Sequence, residues 1–146
     1  MPNLSTSILD GILNHIFRGE SFPVIEGPFE ISLHTGDPGT NRANEVSTGV
    51  WTNYSRQTLE RDTTDWSSAE AHSSGRKIEN AVAVDFGTAT VVSTAPVVTH
   101  VSVYDSASPT QVHIGNYELP DPQTINNGNP VSIPIGGLRQ ALTEAA

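Results

Sequence analysis

Histidine is the residue type in this chain that is best suited to metal binding, because a neutral imidazole nitrogen ligates zinc and related ions. The five histidines lie at positions 15, 34, 72, 100 and 113, and no pair has the spacing of the helical zinc motif of metalloproteases. His34, His100 and His113 could converge across strands. Each also falls on the polar side of its segment, so we predict surface histidines and no metal site.

Paired carboxylates are a second pattern with chemical potential, since two carboxyl groups at a set separation suffice for glycoside hydrolysis. Asp62 with Asp65, or Glu70 with Asp105, would supply such a pair. Most acidic pairs are solvated loop charges, however, and no motif ties a serine to a base or arranges glycines around a phosphate. We therefore predict a protein that is not an enzyme and holds no cofactor.

Aromatic side chains are the third candidate, because rings that line a groove can bind sugars. Trp51, Tyr54, Trp66, Tyr104 and Tyr117 are spread along the chain and form no cluster in the sequence. Core filling is the favoured interpretation, since the aromatic content of 6% is ordinary. The alternative is a sugar groove that includes Trp51 or Trp66.

Length, composition and charge limit the class of protein. The 146 residues fit one domain spanning 1–146, and the absence of cysteine excludes disulfides and cysteine-ligated metals. The net charge of −9 opposes binding to nucleic acid or to an anionic membrane surface. Residues 4–17 lack a basic start and contain polar side chains, so we expect neither a signal peptide nor a membrane span there.

Apolar residues near the start recur at the spacing of an amphipathic helix over about residues 4–17. They are Leu4, Ile8, Leu9, Ile12, Leu13, Ile16 and Phe17. Asn3 or Ser5 can cap the start of this helix, and Gly19 can end it in the left-handed conformation. We favour a helix that covers the domain's own sheet, and the alternative is an arm that packs on a neighbouring subunit.

Beyond this helix the pattern changes to the alternation of half-buried strands. Strands are predicted at about 29–34, 51–59, 78–86, 97–104 and 112–119, the last with a β-bulge at Gly115-Asn116. Six to eight short strands, one helix and no βαβ alternation predict an all-β fold. We expect an antiparallel β-sandwich of jelly-roll or immunoglobulin-like type.

Asn127-Gly128 is the strongest local turn signal in the chain. It lies between the segments 123–125 and 131–133, as in a two-residue hairpin whose central residues both have positive φ. Pro130 and Pro134 lack backbone donors, so the hairpin should lie at a sheet edge. Another subunit could then contact that edge.

Several motifs, collinear along the chain, resemble a family of small phage virion proteins with the pattern LHTADPG followed by EVSGGGYARQ. The matching runs are 31–39, 45–49, 54–57, 79–86, 99–105, 126–129 and 136–138. The chain departs from the pattern at Gly36, where the family usually has alanine, and at 51–53, where the family usually has small residues. The resemblance covers nearly the whole chain.

The resemblance implies a virion component without a catalytic role. Members are commonly labelled minor tail, tail-fibre or minor capsid proteins, and some similar proteins are cement subunits on the capsid. We expect a capsid cement protein that binds the major capsid protein and itself, as a trimer or another symmetric oligomer. The alternatives are a tail, baseplate or tail-fibre protein and, from a different class, a carbohydrate-binding module.

The residues expected to contact partners come from three parts of the chain. They are Ile8, Ile12 and Ile16 in the helix, Trp51 and Trp66 among the aromatic residues, and Asn127 and Gly128 at the turn. Apolar stripes, large aromatic rings and exposed turns are the features through which structural subunits commonly meet.

Overall fold

A computed structural model of the chain describes residues 3–22, 25–73, 75–107 and 111–143. Within these ranges the chain forms one helix and ten strands, and every strand pairing is antiparallel. In chain order they are β1 (Asn3–Leu4), α1 (Thr6–Arg18), β2 (Phe29–His34), β3 (Gln57–Leu59), β4 (Glu70–His72), β5 (Gly75–Glu79), β6 (Val84–Thr88), β7 (Val97–Asp105), β8 (His113–Thr124), β9 (Pro130–Ile133) and β10 (Arg139–Thr143). The predicted all-β fold with an N-terminal helix is confirmed, with more strands than the six to eight expected.

The strands form two layers of a sandwich. One layer is a five-stranded sheet in the order β1-β8-β7-β2-β3, and the other consists of a three-stranded sheet, β10-β5-β4, and a two-stranded sheet, β6-β9. Both smaller sheets cover the same face of the large sheet, where alternate residues of β2 and β7 point into the core. Ile31, Val101 and Val103 are each no more than 1% exposed there.

The strand predicted at 78–86 is in fact two strands, β5 and β6, which belong to different sheets. The break falls at Asn80, whose buried side chain donates to the carbonyl oxygens of Val82 at 2.7 Å and Pro134 at 2.9 Å. Its Oδ1 accepts from the Leu138 amide at 2.8 Å. Asn80 therefore holds the two smaller sheets together, which the alternating sequence pattern did not reveal.

The hairpin predicted at Asn127-Gly128 is wrong. β8 pairs with β7 and β9 pairs with β6, so the strands on either side of this turn lie in different layers. Of the two residues, Gly128 alone has a positive φ, 83°, as the third residue of a type II turn does. Its amide donates to the Ala89 carbonyl at 2.8 Å, which fixes this connection to its own domain.

The β-bulge predicted near Gly115 is present, one residue away. Val103 pairs with Gly115 and Tyr104 with His113, so Ile114 is the extra residue in β8. The bulge adds a local twist close to the edge where β1 pairs with β8.

Candidate interaction surface

Helix α1 begins at the free edge of the five-stranded sheet. Ser5 is its N-cap: the hydroxyl accepts from the Ile8 amide at 3.4 Å and also donates to the His113 carbonyl. The Ser5 amide donates to the Ile114 carbonyl at 2.8 Å. Gly19 ends the helix with a φ of 66°, as predicted. The first turn of α1 is therefore fixed to β8.

The apolar stripe of α1 is only partly covered by the domain. Ile8 and Gly11 are buried and Ile12 is half-buried. The exposed members are Leu9 (44%), Leu13 (53%), Ile16 (64%) and Phe17 (78%). At 100° per residue, these four side chains occupy an arc of roughly 100° around the helix. We call them the exposed face of α1.

The expectation that α1 covers its own sheet thus holds for the side that carries Ile8 and Gly11, and not for the exposed face. The helix residues predicted to contact partners are Ile8, Ile12 and Ile16, of which only Ile16 is well exposed. Leu9, Leu13 and Phe17 were missed. Gly11 was the available signal, because a glycine lets a helix approach a neighbouring backbone closely and so marks the covered side.

The predicted core role is confirmed for Trp51, Tyr54, Trp66 and Tyr117, whereas Tyr104 is buried on the opposite face of the large sheet, beneath Arg42. Trp51, Tyr54, Trp66, Tyr104 and Tyr117 are all at most 9% exposed. Trp51 is completely buried and donates from Nε1 to Asn53 Oδ1 at 2.6 Å, so its ring offers no surface to a partner. Trp66 lines a cavity between the layers. Asn127 and Gly128 are exposed, and a contact there stays a prediction.

His34 is completely buried, so the prediction that it lies on the surface is wrong. The loop after β2 crosses the polar face of the large sheet and covers it. The His34 ring donates from Nδ1 to the Ala43 carbonyl at 2.8 Å and lies 2.8 Å from Ser102 Oγ through Nε2. Burial lowers the pKa of His34. This side chain is buried beneath the covering loop, on the face of the large sheet opposite the apolar core.

β2 and β7 place His34 opposite His100, whereas His113 is near the other end of the large sheet. Among the described residues, no group of three or more histidine, aspartate or glutamate side chains could hold a metal ion.

The residues of the matching motifs form a network that fixes this covering loop. Arg56 donates from Nε and from a terminal nitrogen to the two carboxylate oxygens of Glu45, each at 2.8 Å. Tyr54 donates to Glu45 at 3.2 Å and accepts from the Leu33 amide at 2.9 Å. Burial opposes ionisation of Glu45, but the hydrogen bond and charge of Arg56 outweigh it, and the pKa of Glu45 falls below its usual value.

A second layer of charges closes the same face. Glu30 accepts from Arg56 at 3.1 Å and pairs with Arg42 at 2.5 Å. The Arg42 guanidinium lies 4.0 Å from the centre of the Tyr104 ring, a cation–π contact. The matching motifs therefore stabilise the fold. Among the described residues, the exposed face of α1 is the clearest surface for contact with another molecule.

No helix in the described ranges is long and apolar enough to cross a membrane.

A family model described as "Podophage GP4 fiber I protein gp80" matches residues 3–141. No curated protein is significantly similar to the chain. The match extends from β1 into β10 and includes α1, both layers of the sandwich and the loop that carries Glu45 and Arg56.

Proposed function

The chain belongs to the podophage GP4 fiber I protein gp80 family, and we propose that it is a structural subunit of the phage's tail-fibre apparatus, joined to its neighbours through the exposed face of α1. Family membership makes the chain a virion structural protein. The family's description supports a fibre role, which was the alternative expectation, better than the capsid cement role that was expected first.

The observation that carries this proposal is the exposed face of α1. A helix gains most of its stability from burying its apolar stripe, yet Ile16 and Phe17 are 64% and 78% exposed. Burying the rest of one such side chain against a neighbour is worth about 1–2 kcal/mol. Contiguous apolar patches of this kind on soluble proteins commonly mark interaction sites.

We propose a second copy of this chain as the partner of that face. The protein as a whole carries a net charge of −9, so two copies repel each other over most of their surfaces. Helix α1 is an exception, because it contains one acidic residue, Asp10, and one basic residue, Arg18, which pairs with Glu20 just beyond the helix at 2.7 Å. The same apolar face on each copy can pack around a symmetry axis, as in closed oligomers.

The fibre role is tested by counting subunits in purified virions with quantitative mass spectrometry. We expect far fewer copies than those of the major capsid protein. A copy number that approaches that of the major capsid protein would refute the fibre role and restore the cement role.

The role of α1 is tested by sedimentation equilibrium of the full-length chain over a range of concentrations. We expect the unmodified chain to associate and the Phe17→Asp variant to stay monomeric. The thermal unfolding of the monomer should be the same for both chains. Val92→Asp is the matched control, because Val92 is 60% exposed but lies outside the helix. A monomer at every concentration, or equal loss in both variants, would contradict this mode of assembly.

A further inference from the structure

The outer edge of β10 is a free strand edge. β10 pairs with β5 in a regular antiparallel register, and no other described strand pairs with it. The Asn80 amide donates to the Leu138 carbonyl at 3.1 Å, in the same register and just before β10 begins. Alternate residues of an antiparallel strand bond to the same neighbour, so Arg139, Ala141 and Thr143 direct their backbone N–H and C=O groups away from β5.

The other described strand edges are short or protected against pairing with a further strand. Beyond its contact with β1, β8 contains Pro120, Asp121 and Pro122. β9 begins at Pro130, and the ladder of β6 is irregular at Gly87. β1, β3 and β4 have only two or three residues each. β10 has five residues with no proline and no acidic side chain, so it is the described edge best suited to take another strand.

The charge of this sheet favours a second copy of the chain as the partner. The chain carries a net charge of −9, yet the β10-β5-β4 sheet contains three basic side chains and two acidic ones. Lys77 pairs with Glu70 at 2.9 Å and with Glu79 at 3.0 Å. Arg139 pairs with Glu79 at 2.9 Å. Two copies can therefore meet at this edge without the repulsion that acts over most of their surfaces.

β10 also lies on the same side of the sandwich as the start of α1. Ser5 bonds to the carbonyl groups of His113 and Ile114 in β8. Gln140 of β10 lines a cavity together with Ile114 and Tyr117 of β8. A neighbour that packs on the exposed face of α1 is thus on the side where β10 is open.

We propose that β10 pairs in antiparallel orientation with β10 of a second copy, so that the two β10-β5-β4 sheets join into one. With Ala141 opposite its counterpart, Arg139 lies opposite Thr143 of the second copy. These residues all point outward, so the pairing forms about six backbone hydrogen bonds. One of them replaces the bond at 3.3 Å that the Ala141 carbonyl accepts from the Gln140 side chain. This inference rests on the association of two copies proposed above and adds a second contact to it.

Ala141→Pro tests the pairing by removing the outward N–H group at its centre. That group does not bond to β5, so proline is tolerated there as on other edge strands, and the thermal unfolding of the monomer should change little. In sedimentation equilibrium of the full-length chain, the dissociation constant of the dimer should rise about 10-fold or more. Ala141→Ser is the matched control, because serine keeps the N–H group, and its dissociation constant should be unchanged.

Cross-linking tests the register without the proline variant. The chain has no cysteine, so the single variants Ala141→Cys and Arg139→Cys can be compared with a short bismaleimide. Directly opposite residues of a hydrogen-bonded pair are about 5.5 Å apart. The two copies of residue 139 would be about 14 Å apart, because four residues along the strand separate them. Ala141→Cys should therefore cross-link efficiently and Arg139→Cys should not.

Three results would overturn the proposal: equal dissociation constants for Ala141→Pro and Ala141→Ser, no cross-link through residue 141, and equal cross-linking through residue 139. The contributions of β10 and α1 can be separated. Dissociation of Phe17→Asp but not of Ala141→Pro would refute pairing through β10 and leave α1 as the contact. Dissociation of Ala141→Pro but not of Phe17→Asp would support pairing through β10 and refute the role of α1.

Discussion

Replacement of Asn80 by alanine should destabilise the protein strongly, because this one side chain joins the two smaller sheets. Asn80 is 0% exposed, and its amide makes three hydrogen bonds to the main chain, with Val82, Pro134 and Leu138. Alanine removes all three bonds and offers no substitute. The Leu138 amide and two carbonyl groups would be left without these partners inside the protein.

The expected loss follows from these bonds. A typical intramolecular hydrogen bond contributes about 0.5–1.5 kcal/mol, and a buried group left unpaired costs about 1–3 kcal/mol. Because the three bonds share one side chain and the site can relax, we expect a total of about 3–5 kcal/mol. A loss of this size is a large part of the roughly 5–15 kcal/mol that stabilises an ordinary domain.

Urea unfolding followed by tryptophan fluorescence measures this loss. Asn53→Ala is the matched control, since Asn53 also makes three hydrogen bonds, to Trp51, Thr88 and Thr90, but is exposed, so water can replace the bonds to Thr88 and Thr90. The control should lose about 1 kcal/mol. If Asn80→Ala loses no more than Asn53→Ala, Asn80 does not hold the sheets together as described.

Three further predictions concern the covering loop, its buried histidine and the turn between the layers. Arg56→Lys should lower the free energy of unfolding by about 1 kcal/mol, because lysine cannot bond both oxygens of Glu45, while Arg18→Lys should have no effect in the same urea experiment. Burial lowers the pKa of His34 in the folded protein. Below about pH 6.5 the unfolded chain therefore binds more protons than the folded one, and the free energy of unfolding should decrease as the pH decreases. Melting temperatures between pH 7.5 and 5 should show this fall, and His34→Gln should reduce its slope; equal slopes would exclude His34 as the cause. Gly128→Ala meets no atom within 4 Å but has a φ of 83°, so calorimetry should show a loss of about 1–2 kcal/mol from backbone strain alone.

The elements that the sequence predicted well are those whose pattern of apolar and polar residues is set within the element itself. Ile31 and Leu33 of β2, and Val101 and Val103 of β7, alternate with polar residues in the sequence, which predicted these strands although both of their faces are buried. The caps of α1 at Ser5 and Gly19 were also predictable, since capping depends on residues next to the helix ends.

The features that the sequence did not predict depend on contacts between distant segments. The break at Asn80 exists because Pro134 and Leu138 supply partners from far along the chain. The burial of His34 depends on a loop that folds over the polar face. Asn127-Gly128 has the composition of a hairpin turn, but the pairing of β9 with β6 gives it a different geometry.

The candidate surface was predictable in part. Apolar periodicity identified the stripe on α1, yet periodicity is the same for a stripe that faces its own sheet and one that faces a neighbour. Which side of α1 is covered by the sheet depends on where the helix begins relative to β8, and that position is set by the fold.

Helix α1 is fixed to β8 at its first turn, so a small rotation there would move its far end by a larger distance. Thirteen residues at 1.5 Å each make a rod about 20 Å long, fixed at Ser5 and bearing Ile16 and Phe17 near its far end. A rotation of only about 10° at Ser5 would move that end by about 3 Å over this length. If neighbouring subunits meet through the exposed face of α1, as proposed, strain applied to one subunit would reach the next through the far end of the helix, and the backbone hydrogen bonds between β1 and β8 would resist it.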